Sequence, residues 1–174
     1  MTMRAMSGVS LRKPRSSMLL AAALIAFLGL AVGPVAHPAP AAASTATTME
    51  GLIVKWVNEA RVALGVPALS VGSRLTSLAG NRSATLASTT NLVHPSCLSC
   101  VFRSYGVSFS ICGEDIAMTS YPWGWDAARS IFTAWRASSS HWTILMSRSF
   151  HRIGVGVTYR SSNRTTWAAA ELAG

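Results

Sequence analysis

Side chains able to do acid–base or metal chemistry are scarce in this chain: 4 His, 3 Cys and 6 Asp or Glu among 174 residues. Two of the acids, Glu114 and Asp115, stand together in "SICGEDIA", two positions after Cys112. His94 sits in "LVHPS", where Pro95 holds the backbone extended or turned, and His141 follows a serine run in "SSSHWT". Both histidines fall where loops meet regular elements, the usual place for binding groups. The separations between His94, Glu114 and His141 match no local metal motif. Glu114 and Asp115 also suit the first turn of a helix, where the macrodipole favours carboxylates, and Asp115 reads as that or as solvent-facing. His151, just ahead of a strand, reads as a surface histidine.

Cys97, Cys100 and Cys112 lie within sixteen residues. In an oxidising compartment the set yields one disulfide and one free thiol. With His94 it also reads as four zinc-ligand types, at a spacing that is not a standard finger. A redox C-x-x-C pair ranks third, because no βαβ pattern surrounds it.

The compartment follows from the N-terminus. Residues 1–43 form a signal peptide pattern: Arg4, Arg12, Lys13 and Arg15, the apolar run "SMLLAAALIAFLGLAVGPVA", then Ala41 and Ala43 before Ser44. A retained anchor is the rival reading, but Gly33, Pro34, Pro38 and the alanine box favour removal, leaving no stable membrane span. The expected mature protein, 44–174, is one domain. It carries 11 Lys and Arg against 6 Asp and Glu, a net charge of +5. Its arginines are scattered, with no basic stripe or aromatic–basic platform, which excludes a nucleic-acid partner. Arginine outnumbers lysine and alanine is abundant, pointing to a GC-rich bacterial source.

The elements that must position these residues follow from periodicity. "TTMEGLIVKWVNEARVALGVP" predicts a helix with Thr47 and Glu50 at capping-box spacing, and Leu52, Ile53, Trp56, Val57, Ala60 and Leu64 on one face. "SRLTSLAGNRSATLAS" predicts a second, capped by Ser73 and burying Leu75, Leu78, Ala79 and Leu86. A short helical turn ends near Gly106, and "SICGEDIAMTS" is an extended segment. "GWDAARSIFTAWRAS" is a further helix with Ala128, Ile131, Phe132 and Trp135 inward, and "SSSHWTILM" a brief one. In "HRIGVGVTYR", Ile153, Val155, Val157 and Tyr159 alternate with Gly154, Gly156 and Thr158. That is a strand with one bare face, which a helix or backbone can approach closely. "RTTWAAAELAG" is its hairpin partner. Helices come first and strands gather late, an α+β order.

Five of these stretches, in order, resemble the CAP superfamily of cysteine-rich secretory, antigen 5 and pathogenesis-related proteins, its bacterial exported branch above all. They are "WVNEARVALGVPALSV", "LVHPS", "CGEDIAM", "AWRASSSHWTIL" and "FHRIGVGVTY", and the likeness covers about Met49 to Gly174. The resemblance implies an α-β-α sandwich with a central antiparallel sheet between helical layers. It implies a cleft of two histidines and two glutamates, carried over onto His94, Glu114 and His141. The second glutamate falls on Ser138, three residues after Trp135, and Asp115 stands where the family more often has Asn.

Two imidazoles and one carboxylate can hold zinc or another divalent metal with a water in the fourth place. They can equally form a metal-free hydrogen-bonded cluster in which Glu114 fixes the imidazole tautomers, and that reading is favoured, with no cofactor required. If His94 and Glu114 face each other, a Cys100–Cys112 disulfide (or Cys97–Cys112) would staple the His94 loop to the Glu114 strand. The implied function is a secreted, monomeric, non-enzymatic module binding a small apolar ligand, such as a lipid or sterol, or an envelope or host surface component. The alternative is a His/Glu general-base or metal-assisted hydrolase.

Overall fold

The computed structural model describes residues 48–174; the leader, Thr47 and the expected cleavage site lie outside the described residues. Among the described residues no helix is long and apolar enough to cross a membrane.

Helix α1 (Met49–Ala63) is capped by Thr48, one residue later than the sequence reading, with its Oγ1 accepting the Gly51 N–H at 3.1 Å. Ile53 and Val57 from its apolar stripe are buried in the core, but Leu64 is exposed and Trp56 and Ala60 only half-buried. The stripe is therefore wider than the core it serves. Arg61, in the last turn, is buried and donates to the carbonyls of Pro67, Leu145, Ser147 and Phe150. It fastens the turn after α1 to the segment before the third strand.

Strand β1 (Ser70–Val71) leads into α2 (Ser73–Thr89), whose N-cap is Gly72 and not the expected Ser73. Helix α3 (Leu98–Ser104) precedes β2 (Cys112–Thr119). Then come α4 (Trp125–Ala137), α5 (Ser139–Leu145), β3 (Arg152–Arg160) and β4 (Thr165–Ala173). The sheet order is β1-β3-β4-β2. The three long strands are antiparallel, as expected, while the two-residue β1 adds a parallel edge to β3 that periodicity did not reveal.

Two helical layers cover the sheet, an α+β sandwich. On one face α1, α4 and α5 pack Ile53, Val57, Ile131, Trp135 and Leu145 against Ile153, Val155, Ala168, Ala170 and Leu172. On the other, α2 and α3 bring Leu75, Leu78 and Phe102 to Ala173, and Leu86 and Ala87 to Ile116, Trp167 and Ala169. The bare face of β3 has the predicted use. A Cβ on Gly154 would stand 2.1 Å from the carbonyl carbon of Leu75, and one on Gly156 2.3 Å from that of Ala79. Backbone lies on backbone there, so α2 crosses the sheet closer than side chains would allow. That close approach lays α2 over β3 and β4, within side-chain reach of the edge strand carrying Glu114.

Candidate functional site

Side chains alternate across a strand, so Glu114 and Asp115 on β2 point to opposite faces of the sheet. Neither lies in a helix or in solvent: Glu114 is 3% exposed and Asp115 fully buried. Glu114 faces α2, as does its cross-strand partner Glu171 on β4, also fully buried. Half of the chain's six acids thus lie inside the sheet's two layers of packing.

The compensating charge is Arg82, on α2. Its Nε donates to Glu114 Oε2 at 2.6 Å and its Nη2 to Oε1 at 3.1 Å, a two-point fork suited to a carboxylate. The same Nη2 donates to the Val93 carbonyl at 3.0 Å, fixing the loop residue before His94. His94 then donates from Nδ1 to Glu114 Oε1 at 2.8 Å. Since an ionised carboxylate only accepts, this bond places the imidazole proton on Nδ1 and leaves Nε2 as the free, basic nitrogen. The His94 side chain is 55% exposed while that of Glu114 is wholly covered, so the pair presents a solvent-facing imidazole backed by a buried acid.

Burial pushes the Glu114 pKa up, but the hydrogen bonds from Arg82, Glu171 and His94, with the charge of Arg82, outweigh it and hold Glu114 ionised. Glu171 goes the other way, pushed up to about 9 by burial and then by the neighbouring charge of Glu114. As an ionised group Glu171 would have no donor for either oxygen; holding its proton, it can donate to Glu114. Burial and then Glu114 also raise Asp115 to about 8, and both its oxygens are unpartnered on the α1–α4 face. Two protonated carboxyls and one ion pair make the cluster nearly neutral, as burial demands.

His141, on α5, is half-buried, with its Nδ1 buried and unpartnered. Burial and then the charge of nearby His94 lower its pKa, so it stays neutral. Ser138, at the α4–α5 junction, bonds the Ser140 hydroxyl and has no hydrogen bond to Glu114 among the described residues. His151 is exposed.

The expected staple is not a disulfide to Cys112. Cys97 bonds Cys100 instead, and Cys112 is a free thiol. The reason is local: Cys97 is the N-cap of α3 and Cys100 lies within its first turn, so their Cα atoms are 5.3 Å apart, inside the disulfide range. Cys112 packs among Leu75, Leu78 and Phe102. Arg82 makes the link that the disulfide was expected to make.

Among the described residues no group of three His, Cys, Asp or Glu side chains is arranged to hold a metal ion. The expected donors His94, Glu114 and His141 fit one poorly as a set, because both Glu114 oxygens are engaged by a guanidinium and His94 keeps only Nε2, turned away from that carboxylate, as a free donor.

Arg82 and Glu171 were missed in the sequence. Both carried a signal. Arg82 continues the three-and-four spacing of Leu75, Leu78, Ala79 and Leu86, and Glu171 is the lone charge in an apolar strand.

The fold has close counterparts. An extracellular SCP-domain protein from Bacillus anthracis superposes with a TM-score of 0.60 at 19% identity, over 72% of this chain and 40% of that one. The present chain thus spans well under half of that protein. An outer surface protein from Borrelia burgdorferi gives a TM-score of 0.64 at 18% identity, over 74% of this chain and 93% of that one. NaASP2, solved with Zn2+, gives 0.51 at 15% identity, over 69% and 76% of the two chains. At these identities the likeness is one of fold. Comparison with functionally curated proteins yields no match. The profile of the cysteine-rich secretory protein family, CAP, matches residues 54–170. Spanning most of the chain and both helical layers, that match makes this protein a member of the CAP family.

Proposed function

We propose that the protein is an exported, monomeric, non-enzymatic module that binds a small apolar ligand in the groove between α1 and the α4–α5 pair. The leader, removed after Ala43, would deliver residues 44–174 outside the cell, where the Bacillus and Borrelia neighbours are described as extracellular and outer surface proteins. The observation that carries the reading is the groove itself, a cavity of about 540 Å³ lined by Trp56, Ala60, Leu64, Phe132 and Trp142, with Glu59 and Arg136 also on its walls. Its volume falls in the range of small-molecule sites, and aromatic walls with a few polar groups are their usual make-up. Trp56 and Phe132 lie 5.8 Å apart between ring centroids, and Phe132 and Trp142 6.3 Å. The half of the α1 stripe that the core leaves uncovered faces this groove. Exposed apolar surface of that kind commonly marks a binding site.

A hydrolase is the second reading, favoured by the free Nε2 of His94 behind its bond to Glu114. Against it, no hydroxyl or thiol among the described residues hydrogen-bonds His94, so the imidazole has no nucleophile to activate. Titration with a fluorescent fatty acid separates the two. Trp56→Ala and Phe132→Ala should each weaken binding about tenfold, the loss of one aromatic contact, while His94→Ala binds as the wild type does. Equal binding by all three variants removes the groove from the proposal; turnover of an ester or peptide that His94→Ala abolishes establishes the hydrolase.

A further inference from the structure

Three oxygens from two separate segments converge on Arg82: both of Glu114 on β2 and the carbonyl of Val93 in the loop before His94. Gathering carboxylate and carbonyl oxygens from distant segments onto one positive centre is what a bound divalent cation does in other proteins. Arg82 is itself largely covered, with its side chain 13% exposed, and the Glu114 side chain is wholly covered.

We infer that Arg82 is a built-in cation that stands in for a divalent metal in this cleft, neutralising Glu114, tying α2 to the His94 loop and excluding metal from the His94–Glu114 pair. Three observations carry this. Zinc binds a carboxylate oxygen at about 2.0–2.2 Å, but Oε1 already accepts from Arg82 and His94, and Oε2 from Arg82. A dication at either oxygen would lie beside a fixed guanidinium, in a partly buried place where like charges are weakly screened. Lastly, the His94 nitrogen that faces Glu114 carries its proton, so His94 can offer a lone pair only from Nε2, on the far side of the ring, and the two side chains cannot share one ion. The apolar groove plays no part, so this inference and the ligand-binding proposal stand or fall separately.

The test is a titration with zinc chloride near neutral pH, followed by histidine-ring NMR and by calorimetry. In the wild type the His94 resonances should respond to zinc no more than those of the exposed His151. Folded Arg82→Gln should gain a saturable site at least tenfold tighter than any in the wild type, and Arg82→Gln/His94→Ala should lose it again. A selective, saturable response of His94 in the wild type overturns the inference, as does a folded Arg82→Gln with no gain. Should Arg82→Gln not fold, Arg82→Lys keeps the charge without the fork. It should exclude zinc as the wild type does, and zinc bound there through His94 overturns the inference equally.

Discussion

Glu114 and Glu171 are direct cross-strand partners, both beneath α2 and both buried. Like charges placed opposite one another destabilise a sheet, and here the conflict is resolved by leaving one of them protonated. Glu114, forked by Arg82, takes the negative charge, and Glu171 keeps the proton. The site is built around one carboxylate, not two.

The pH dependence of stability follows. The folded protein holds the Glu171 proton up to about pH 9, whereas an unfolded glutamate releases it near about 4.3. Between those values the unfolded chain binds fewer protons, so stability falls as pH rises. Glu114, with a lowered pKa, acts at the acid end, its contribution lost as pH falls through its folded value. His141, held neutral, costs stability below about pH 6.5. Urea unfolding should show a falling midpoint from about pH 6.5 to about pH 9. Glu171→Gln should reduce this fall and exceed the wild type by several kcal/mol near the top of the range. A midpoint that rises over this interval contradicts the shared-proton account.

Asp115 belongs to the opposite face and makes an independent prediction. It is fully buried without a partner for either oxygen, and its pKa is raised to about 8 by burial and the charge of Glu114. Its protonated form therefore favours the fold below that pH, and that stability is lost as pH rises. Asp115→Asn removes an ionisable group without changing shape and should stabilise the protein by several kcal/mol near about pH 8, with little change near about pH 4. Thermal melts at the two pH values decide it.

Gly156 lets α2 lie on the sheet, and the added Cβ of Gly156→Ala would meet backbone atoms that cannot rotate away. The expected loss is about 3 kcal/mol, at the upper end for overpacking. Gly80→Ala in α2 is the control: a Cβ there meets nothing within 4 Å, and the change should add about 0.5–1 kcal/mol through helix propensity. Equal effects of the two substitutions would remove the close-approach account.

Among the described residues Arg61 has no carboxylate partner, and it is held by the carbonyls of Pro67, Leu145, Ser147 and Phe150. Burial, then the charge of Arg148, lowers its pKa. Arg61→Met keeps the length of the side chain but strands buried carbonyl oxygens, and should cost about 3–5 kcal/mol in chemical denaturation.

Cys112 should react as the one free thiol. Peptide mapping without reduction should recover Cys97 and Cys100 joined and Cys112 alkylated. Cys112→Ala should cost about 1 kcal/mol or less, because its small side chain is only half-buried.

What the sequence by itself determined is the order and type of the elements. Repeats at three and four placed α1, α2 and α4; alternation placed β3; the two glycines of "IGVG" announced that a helix or backbone would approach that strand closely. These are local properties, fixed by where apolar side chains recur along a few turns or residues. The pairing of His94 with Glu114 was also within reach, through the order of motifs.

Only the tertiary structure decided which charges would meet. Glu114 and Glu171 are neighbours because β2 and β4 pair in one register, and a slip of one residue would send either to the opposite face. Arg82 reaches Glu114, and its charge is felt at Glu171, because the glycines of β3 let α2 sit low over the sheet. Nothing in the local pattern of α1 says that the outer half of its stripe lines a groove instead of the core. Burial, register and long-range charge pairing belong to the packed molecule, since each depends on residues that only folding brings together.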